Sequence, residues 1–352
     1  VKVLFHLTIR RPSAPWREAV WQEIDGLRGA VGGELNYLNP SRRELLRVPR
    51  LFFGFHQLRW LKRQDSRVDL HHLYNPDPFP FPILRWLNRP IIYTLSAGLT
   101  SRLRSEGSRP LSAGFFCRRI HTVVVSNERD RRRLIDAGIA NVRIIPPGVD
   151  LSRISPSRLP LSQTAAFEDT EITLMAGSAP WVRAQFRSKG VDALLDVAQR
   201  MPRLRLIFLW RGVLYQEMQA RVRERRLTNR VEILDQQVDV NAVLARVHAS
   251  VLLADDPSIV KAFPHSLVES LAAAKPVLVS RDVPLAHLVT QWGCGQVVDE
   301  VTPEAIISAL RRLVADYAAV CQAAANANMG AFSRDRMVGA YMALYDQIAN
   351  GR

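Results

Sequence analysis

The 352-residue sequence predicts an α/β protein made of two Rossmann-like domains that face a cleft. Two observations carry this. Short apolar runs alternate with amphipathic stretches from end to end, which is the pattern of βα units around parallel sheets. The rhythm breaks once, over residues 151–171, where Ser155-Pro156-Ser157 and Leu159-Pro160 read as a linker, and then restarts. Length agrees, since a domain takes roughly 150 residues. A 47% apolar content supports a sizeable core.

In order along the first half, strands are expected at Val1–Leu7, Leu35–Leu38, Val68–Leu73, Pro90–Leu95, His121–Ser126 and Val142–Ile145. Helices are expected at Trp16–Arg28 and Glu128–Asp136. Val1–Ile9 reads as a buried strand rather than a leader, being short and without a small-residue cleavage site. After the linker come strands Ile172–Ala176, Leu204–Trp210, Val231–Leu234, Ala249–Ala254 and Pro276–Ser280. The tail Arg334–Asn350 has Met337, Tyr341, Leu344 and Ile348 at helical spacing. The expected division is residues 1–150, a linker 151–171 and residues 172–333. Open α/β sheets bind ligands beyond the carboxyl ends of their strands.

Several classes drop out. No apolar run reaches the roughly 18–20 residues of a membrane-spanning helix. Cys117, Cys294 and Cys321 are sparse and far apart, which suits a reducing cytoplasm better than a disulfide framework. There is no G-x-G-x-x-G after the first strand, no G-x-x-x-x-G-K-[ST] loop and no G-x-S-x-G elbow. The +15 charge is lopsided, with 25 basic and 13 acidic residues in 1–150. A basic half can meet nucleic acid, an anionic membrane surface or phosphorylated substrates. No nucleic-acid recognition motif or stacking platform is present, so nucleic acid is not an expected partner.

Three stretches carry the chemistry. Thr122–Asp150 runs strand, Ser126, helix, Gly138 and strand into the turn Pro147-Gly148-Val149-Asp150. Ala176–Leu195 ends in Ser188-Lys189-Gly190-Val191-Asp192. Lys261–Pro276 reads KAFPHSLVESLAAAKP. In this succession they resemble the retaining family-4 glycosyltransferases of the GT-B fold, over roughly residues 120–350. The resemblance implies a sugar transferred from a nucleotide-sugar donor, with no metal and no bound cofactor. It places the donor pyrophosphate against Lys189 and a nearby arginine, either Arg183 or Arg187. Physics favours that, because a helix N-terminus offers unpaired N–H groups and a positive dipole end. Glu269 matches the glutamate that grips the ribose, where one carboxylate can accept from two hydroxyls. Pro264, His265, Ser266 and Leu267 open the same helix, and His265 can donate to a diphosphate oxygen. The family's last helix crosses back, so residues 334–350 are expected to complete the first domain.

The sequence also departs from the family. Lys261 stands where a glutamate normally lies by the donor sugar. A cation there suits a carboxylate-bearing sugar, neutralises the diphosphate, or faces solvent. Ser96 stands where many members have a histidine, and Ser13 lies in the stretch that replaces a glycine pair. With Ser126 these are the acceptor-side candidates. The departures also admit a GT-B relative that does not transfer sugar, either epimerase-like or a silent partner subunit. Asp69, His71 and His72 share a strand, but neighbours on a strand point to opposite faces, so a metal site is not expected there.

Ser41–Arg67 combines eight Lys or Arg with Leu51, Phe52, Phe53, Phe55, Leu58, Trp60 and Leu61. Such a segment either packs its aromatic face on the sheet or lies in the interface of an anionic bilayer. The second reading predicts a cytoplasmic enzyme, peripheral on the inner face of the membrane, acting on a glycan or lipid-linked acceptor in envelope or polysaccharide biosynthesis.

Overall fold

The computed structural model describes residues 1–9, 19–40, 48–96, 99, 119–162, 167–177, 179–210, 213–236, 238–261 and 263–351. Two compact units emerge, Val1–Val149 with Phe332–Arg352, and Asp150–Ala331. Each holds a parallel six-stranded sheet.

The first unit contains β1 (Val3–Leu7), α1 (Ala19–Val31), β2 (Glu34–Tyr37), α2 (Leu58–Asp65), β3 (Leu70–Asn75), β4 (Ile91–Leu95), β5 (Ile120–Val125), α3 (Glu128–Asp136) and β6 (Val142–Ile144). Its strand order is β2-β1-β3-β4-β5-β6. Every residue of β1, β3 and β4 is buried, as expected of parallel strands covered on both faces. The C-terminal helix Arg334–Asn350 packs Met337, Tyr341, Leu344, Tyr345 and Ile348 into the core with Phe5 and Ile24. The turn at Pro147-Gly148 brings the two chain segments together. A Cβ on Gly148 would lie 2.5 Å from the Arg334 Cα, so only glycine fits there. Val149 and Arg334 then exchange backbone bonds with Phe332 and Val149.

Residues 41–47 of the basic segment lie outside the described residues, and the rest is not one helix. Arg50–Phe52 and Phe55–Gln57 are single 3₁₀ turns separated by Gly54 at φ 84°, and only Leu58–Asp65 is α-helical. Gly54 breaks the run because its left-handed backbone disfavours any other residue. Phe53 and Leu61 enter the core, whereas Leu51, Phe52 and Phe55 stay exposed.

The second unit contains β7 (Ile172–Ala176), α4 (Gln185–Ser188), α5 (Val191–Arg200), β8 (Leu204–Leu209), α6 (Tyr215–Glu224), β9 (Val231–Leu234), α7 (Val240–Leu244), β10 (Ala249–Leu252), α8 (His265–Ala272), β11 (Val277–Ser280), α9 (Ala286–Trp292), β12 (Gly295–Val298), α10 (Pro303–Ala315) and α11 (Tyr317–Ala325). Its order is β12-β11-β10-β7-β8-β9. The chain builds outward from β7 to β9, then returns to lay β10 on the other side of β7. That reversal is the topological switch point, where α/β sheets open a crevice for ligands. The segment 151–171 belongs to this unit. Leu161 and Phe167 pack on its core, and the Tyr317 hydroxyl donates to the Leu159 carbonyl at 3.0 Å.

Candidate functional site

In the second unit, Ser266 and Leu267 meet the carboxyl ends of β7 and β10. Gly177 follows β7, and a Cβ on it would stand 3.1 Å from the Ser266 Cβ. The first turn of α8 therefore comes down closely over the end of β7. The helix is anchored from below, where Ser270 Oγ donates to the Ser266 carbonyl at 2.6 Å and lies 2.7 Å from Ser250 Oγ on β10. Met175, Gly177, Leu252, Ser266 and Leu267 line a small pocket at this junction. Pro264, which precedes His265, gives the α8 N-terminus no side-chain cap. The first N–H groups of the helix thus give this edge a positive end.

Lys189 sits at the junction of α4 and α5. Gly190, at φ 67°, turns the chain between them, and a Cβ there would meet Leu253 Cδ1 at 2.6 Å. Lys189 is buried, 7% exposed, and its Nζ donates to the Ala179 carbonyl at 3.0 Å. Burial first, and then the nearby Lys261 charge, push its pKa down to about 8. Lys261 is exposed on the loop between β10 and α8. Two cations thus meet at the same edge, and Lys261 disfavours the charge on Lys189. An anion beside Lys189 relieves that cost.

The remaining predicted donor residues are distributed as follows. Glu269 is half-buried on the second turn of α8. His265 lies edge-on to Phe263, ring centroids 5.1 Å apart. Pro264 and Leu267 are buried, and Leu267 belongs to the core beneath the helix. Arg183 and Arg187 are both exposed, and Arg183 pairs with Glu217 at 3.2 Å. Trp181 and Val182, on the same loop, are also exposed.

In the first unit, Ser96 follows β4 and Ser126 follows β5. They line one small pocket with Glu23, Thr94, Pro147 and Tyr341. Ser13 lies outside the described residues. Glu23, Thr94 and Tyr341 were not legible as pocket residues, because they come from three distant segments without any spacing motif. Gly177 did carry a signal, a glycine directly after a buried strand.

His71 and His72 diverge to opposite faces of β3. His71 Nε2 bonds Asp65 at 3.0 Å, and its Nδ1 meets His6 Nε2 at 2.9 Å. Asn36 in turn lies 3.2 Å from His6 Nδ1. One tautomer assignment satisfies the whole row, with Asn36 donating to His6, His6 to His71 and His71 to Asp65. His72 instead bonds Tyr345 at 2.6 Å and Thr94 at 2.8 Å. Among the described residues no three His, Cys, Asp or Glu side chains gather as a metal-ligand set.

The comparisons with known proteins agree with this architecture. The family model described as Glycosyl transferases group 1 matches residues 163–331, and that described as Glycosyltransferase Family 4 matches residues 10–153. Among solved structures, the sucrose-phosphate synthase of Thermosynechococcus elongatus is similar with TM-score 0.69 at 15% identity, covering 100% of both chains. HepE of Anabaena in complex with UDP gives 0.68 at 14% identity, covering 99% of this chain and 100% of that one. WaaG, a glycosyltransferase involved in lipopolysaccharide biosynthesis, gives 0.65 at 14%, covering 98% and 99%. Such identities show the shared fold. A search of curated proteins finds no match.

Proposed function

The chain belongs to the group 1, family-4-type glycosyltransferases and has their GT-B fold, and from that membership we propose a retaining, metal-independent transfer of a hexose-type sugar from a nucleotide-sugar donor held in the second unit. One observation carries this reading: Lys189, Lys261 and the N-terminus of α8 converge on the carboxyl edge of β7 and β10. Structures of HepE, which has a similar fold, contain UDP or UDP-glucose.

In the proposed mechanism the bond between the anomeric carbon and the diphosphate oxygen breaks, and negative charge grows on the departing diphosphate. Lys189, the N–H groups of His265 and Ser266, and Arg183 or Arg187 stabilise that charge, the work a metal ion performs elsewhere. The acceptor hydroxyl attacks the face the leaving group vacates, and its proton passes to a diphosphate oxygen. No protein nucleophile is needed. Glu269 accepts from the ribose hydroxyls, and His265 donates to the diphosphate. The acceptor is a glycan or lipid-linked saccharide of envelope or polysaccharide biosynthesis, met at the cytoplasmic face of the membrane. The Ser96–Ser126 pocket of the first unit supports an acceptor-side role for those two serines.

The test is a thermal-shift screen of UDP-, GDP- and ADP-sugars, because a ligand that binds the native state raises its melting midpoint. A donor that shifts the midpoint is then followed with EDTA present, reading the anomeric configuration of the product by NMR. The reading fails if no donor binds or if EDTA abolishes turnover and Mg²⁺ or Mn²⁺ restores it. Products formed without an acceptor would indicate the epimerase-like alternative.

A further inference from the structure

The first unit exposes a group of large apolar side chains that its core does not use. Phe52 is 59% exposed, Leu51 52%, Trp86 49% and Phe55 37%. Leu51, Phe52 and Trp86 lie on neighbouring turns. The turn Arg50–Phe52 packs beside the turn Pro82–Trp86, and Phe53 beneath them stacks on Phe81 at 6.0 Å. Lys62 on α2 lies over the Trp86 ring at 4.8 Å, which ties the helix to the same group.

The charge around them has one sign. Arg59, Lys62, Arg63, Arg67 and Arg85 are all exposed. Across residues 48–67 and 82–89 the only carboxylate is Asp65. It is buried, engaged by His71 and by the Asn88 and Arg89 amides. Exposed apolar side chains in segments whose exposed charges are all cationic match a surface that is anionic outside and apolar within. An RNA partner would supply the anion, but Leu51 offers no ring for a base to stack on, and one face of Trp86 is already taken by Lys62.

The group is also held rigidly at a particular edge. Arg50, which begins the exposed turn, makes a two-pronged pair with Asp77, at 2.7 and 3.1 Å, and a bond to Asn75 at 3.2 Å. Its guanidinium rests on Phe79 at 4.2 Å. On the other side, the Gly54 amide donates to Leu38, just past β2. Asn75 ends β3, so the turn stands at the carboxyl edge of the sheet, the edge on which Ser96 and Ser126 also lie.

We infer that Leu51, Phe52, Phe55 and Trp86 form a wedge that inserts into an anionic lipid bilayer, with Arg59, Lys62, Arg63, Arg67 and Arg85 on the headgroups. The wedge thereby holds the carboxyl edge of the first sheet at the bilayer surface. Docking rests on the exposed residues alone. Its use, presenting a lipid-linked saccharide to that edge, rests on the transfer reading.

The experiment is co-sedimentation of the full chain with vesicles of phosphatidylcholine, with or without phosphatidylglycerol. Binding is expected only with phosphatidylglycerol, and it weakens as salt is raised because surface charges are screened. Phe52→Glu is expected to lower the partition by roughly tenfold or more, since an inserted aromatic is replaced by a charge. Arg59→Gln with Arg63→Gln lowers it at low salt. Each substitution is at an exposed position, and an unchanged melting midpoint shows that the variants fold. Equal binding to uncharged vesicles, undiminished binding of Phe52→Glu, or displacement of the protein from vesicles by RNA overturns the inference. Nucleotide-induced thermal shifts of the same variants separate the two readings. Lost vesicle binding with an intact shift is the docking defect, whereas vesicle binding without any nucleotide shift counts against the transfer reading alone.

Discussion

The two sheets have equal strand numbers but use their polar residues in opposite ways. In the first unit polar side chains lie inside the sheet layers, where Asp65, His71, His6 and Asn36 form one row and His72, Thr94, Tyr341 and Tyr345 another. In the second unit the sheet interior is largely apolar, and Lys189 and Lys261 stand at its carboxyl edge, where Lys261 disfavours the charge on Lys189. A buried polar group bonded on every side holds a structure together. A buried cation destabilised by another cation is poised for an anion. The same residue chemistry therefore reads as scaffold in one unit and as a ligand edge in the other.

The largest expected effect breaks the first half of that comparison. Asp65→Ala removes the acceptor of His71 and of two backbone amides, and a buried donor left without its acceptor costs about 1–3 kcal/mol. Chemical denaturation of the variant measures it, and a cost under about 1 kcal/mol would show that the row is not structural. pH gives a second handle. Burial alone would raise the Asp65 pKa, but bonds from His71, Arg89 and Asn88 hold it well below the usual carboxylate range. Its stabilisation is thus present above the unfolded value near 3.9 and is lost as pH falls through the lower folded one. His6 and His72 act earlier. Burial keeps both folded pKa values low, so only the unfolded chain takes up their protons below about pH 6.5, and stability falls from there. In the second unit burial likewise lowers His248, so with two such histidines against one, proteolysis at pH 5 should cut residues 1–149 before residues 150–331. Cleavage in the reverse order contradicts the assignment.

Next in size is Lys189→Ala. Charge on the diphosphate grows as the bond breaks, so turnover should drop about 10²–10³-fold, with a smaller change in donor affinity. A variant with intact kcat and raised KM would make Lys189 a binding residue only. Glu269→Ala should weaken nucleoside diphosphate binding by about 1.5–3 kcal/mol, read by calorimetry. Unchanged affinity in a folded variant removes Glu269 from the site.

The smallest effect sharpens the comparison most. Lys261→Ala removes the neighbouring charge that helps depress Lys189 and should raise the Lys189 pKa above about 8, towards its ordinary value. The alkaline limb of nucleotide binding then moves to higher pH. A limb that stays in place uncouples the two lysines.

Much of this molecule could be read from its sequence. The alternation of apolar runs reported both parallel sheets, and Met337, Tyr341, Leu344 and Ile348, spaced for one helix face, are all buried. Sequence reading missed β12, whose Gly295 and Gln296 dilute the apolar signal. It also treated 41–67 as one amphipathic segment, because periodicity does not register the left-handed Gly54 that divides it. Candidate donor residues could be marked where they lie close in sequence, as in Lys189-Gly190 and His265–Glu269. The pocket in the first unit was only partly legible. Ser96 and Ser126 could be marked after their strands, but Glu23 and Tyr341 meet them only through the packing of α1 and the C-terminal helix.

The central claim is that the edge of β7 and β10 binds a nucleoside diphosphate through a cation that its own surroundings destabilise. Calorimetry of UDP binding at about pH 8.5, with EDTA present and in two buffers of different ionisation enthalpy, tests it most directly. With Lys189 titrating near pH 8 in the free protein, saturable binding should draw in a proton from the buffer, and Lys189→Ala should abolish that uptake. Binding that needs added Mg²⁺ or Mn²⁺, or proton uptake that persists in Lys189→Ala, would contradict the account.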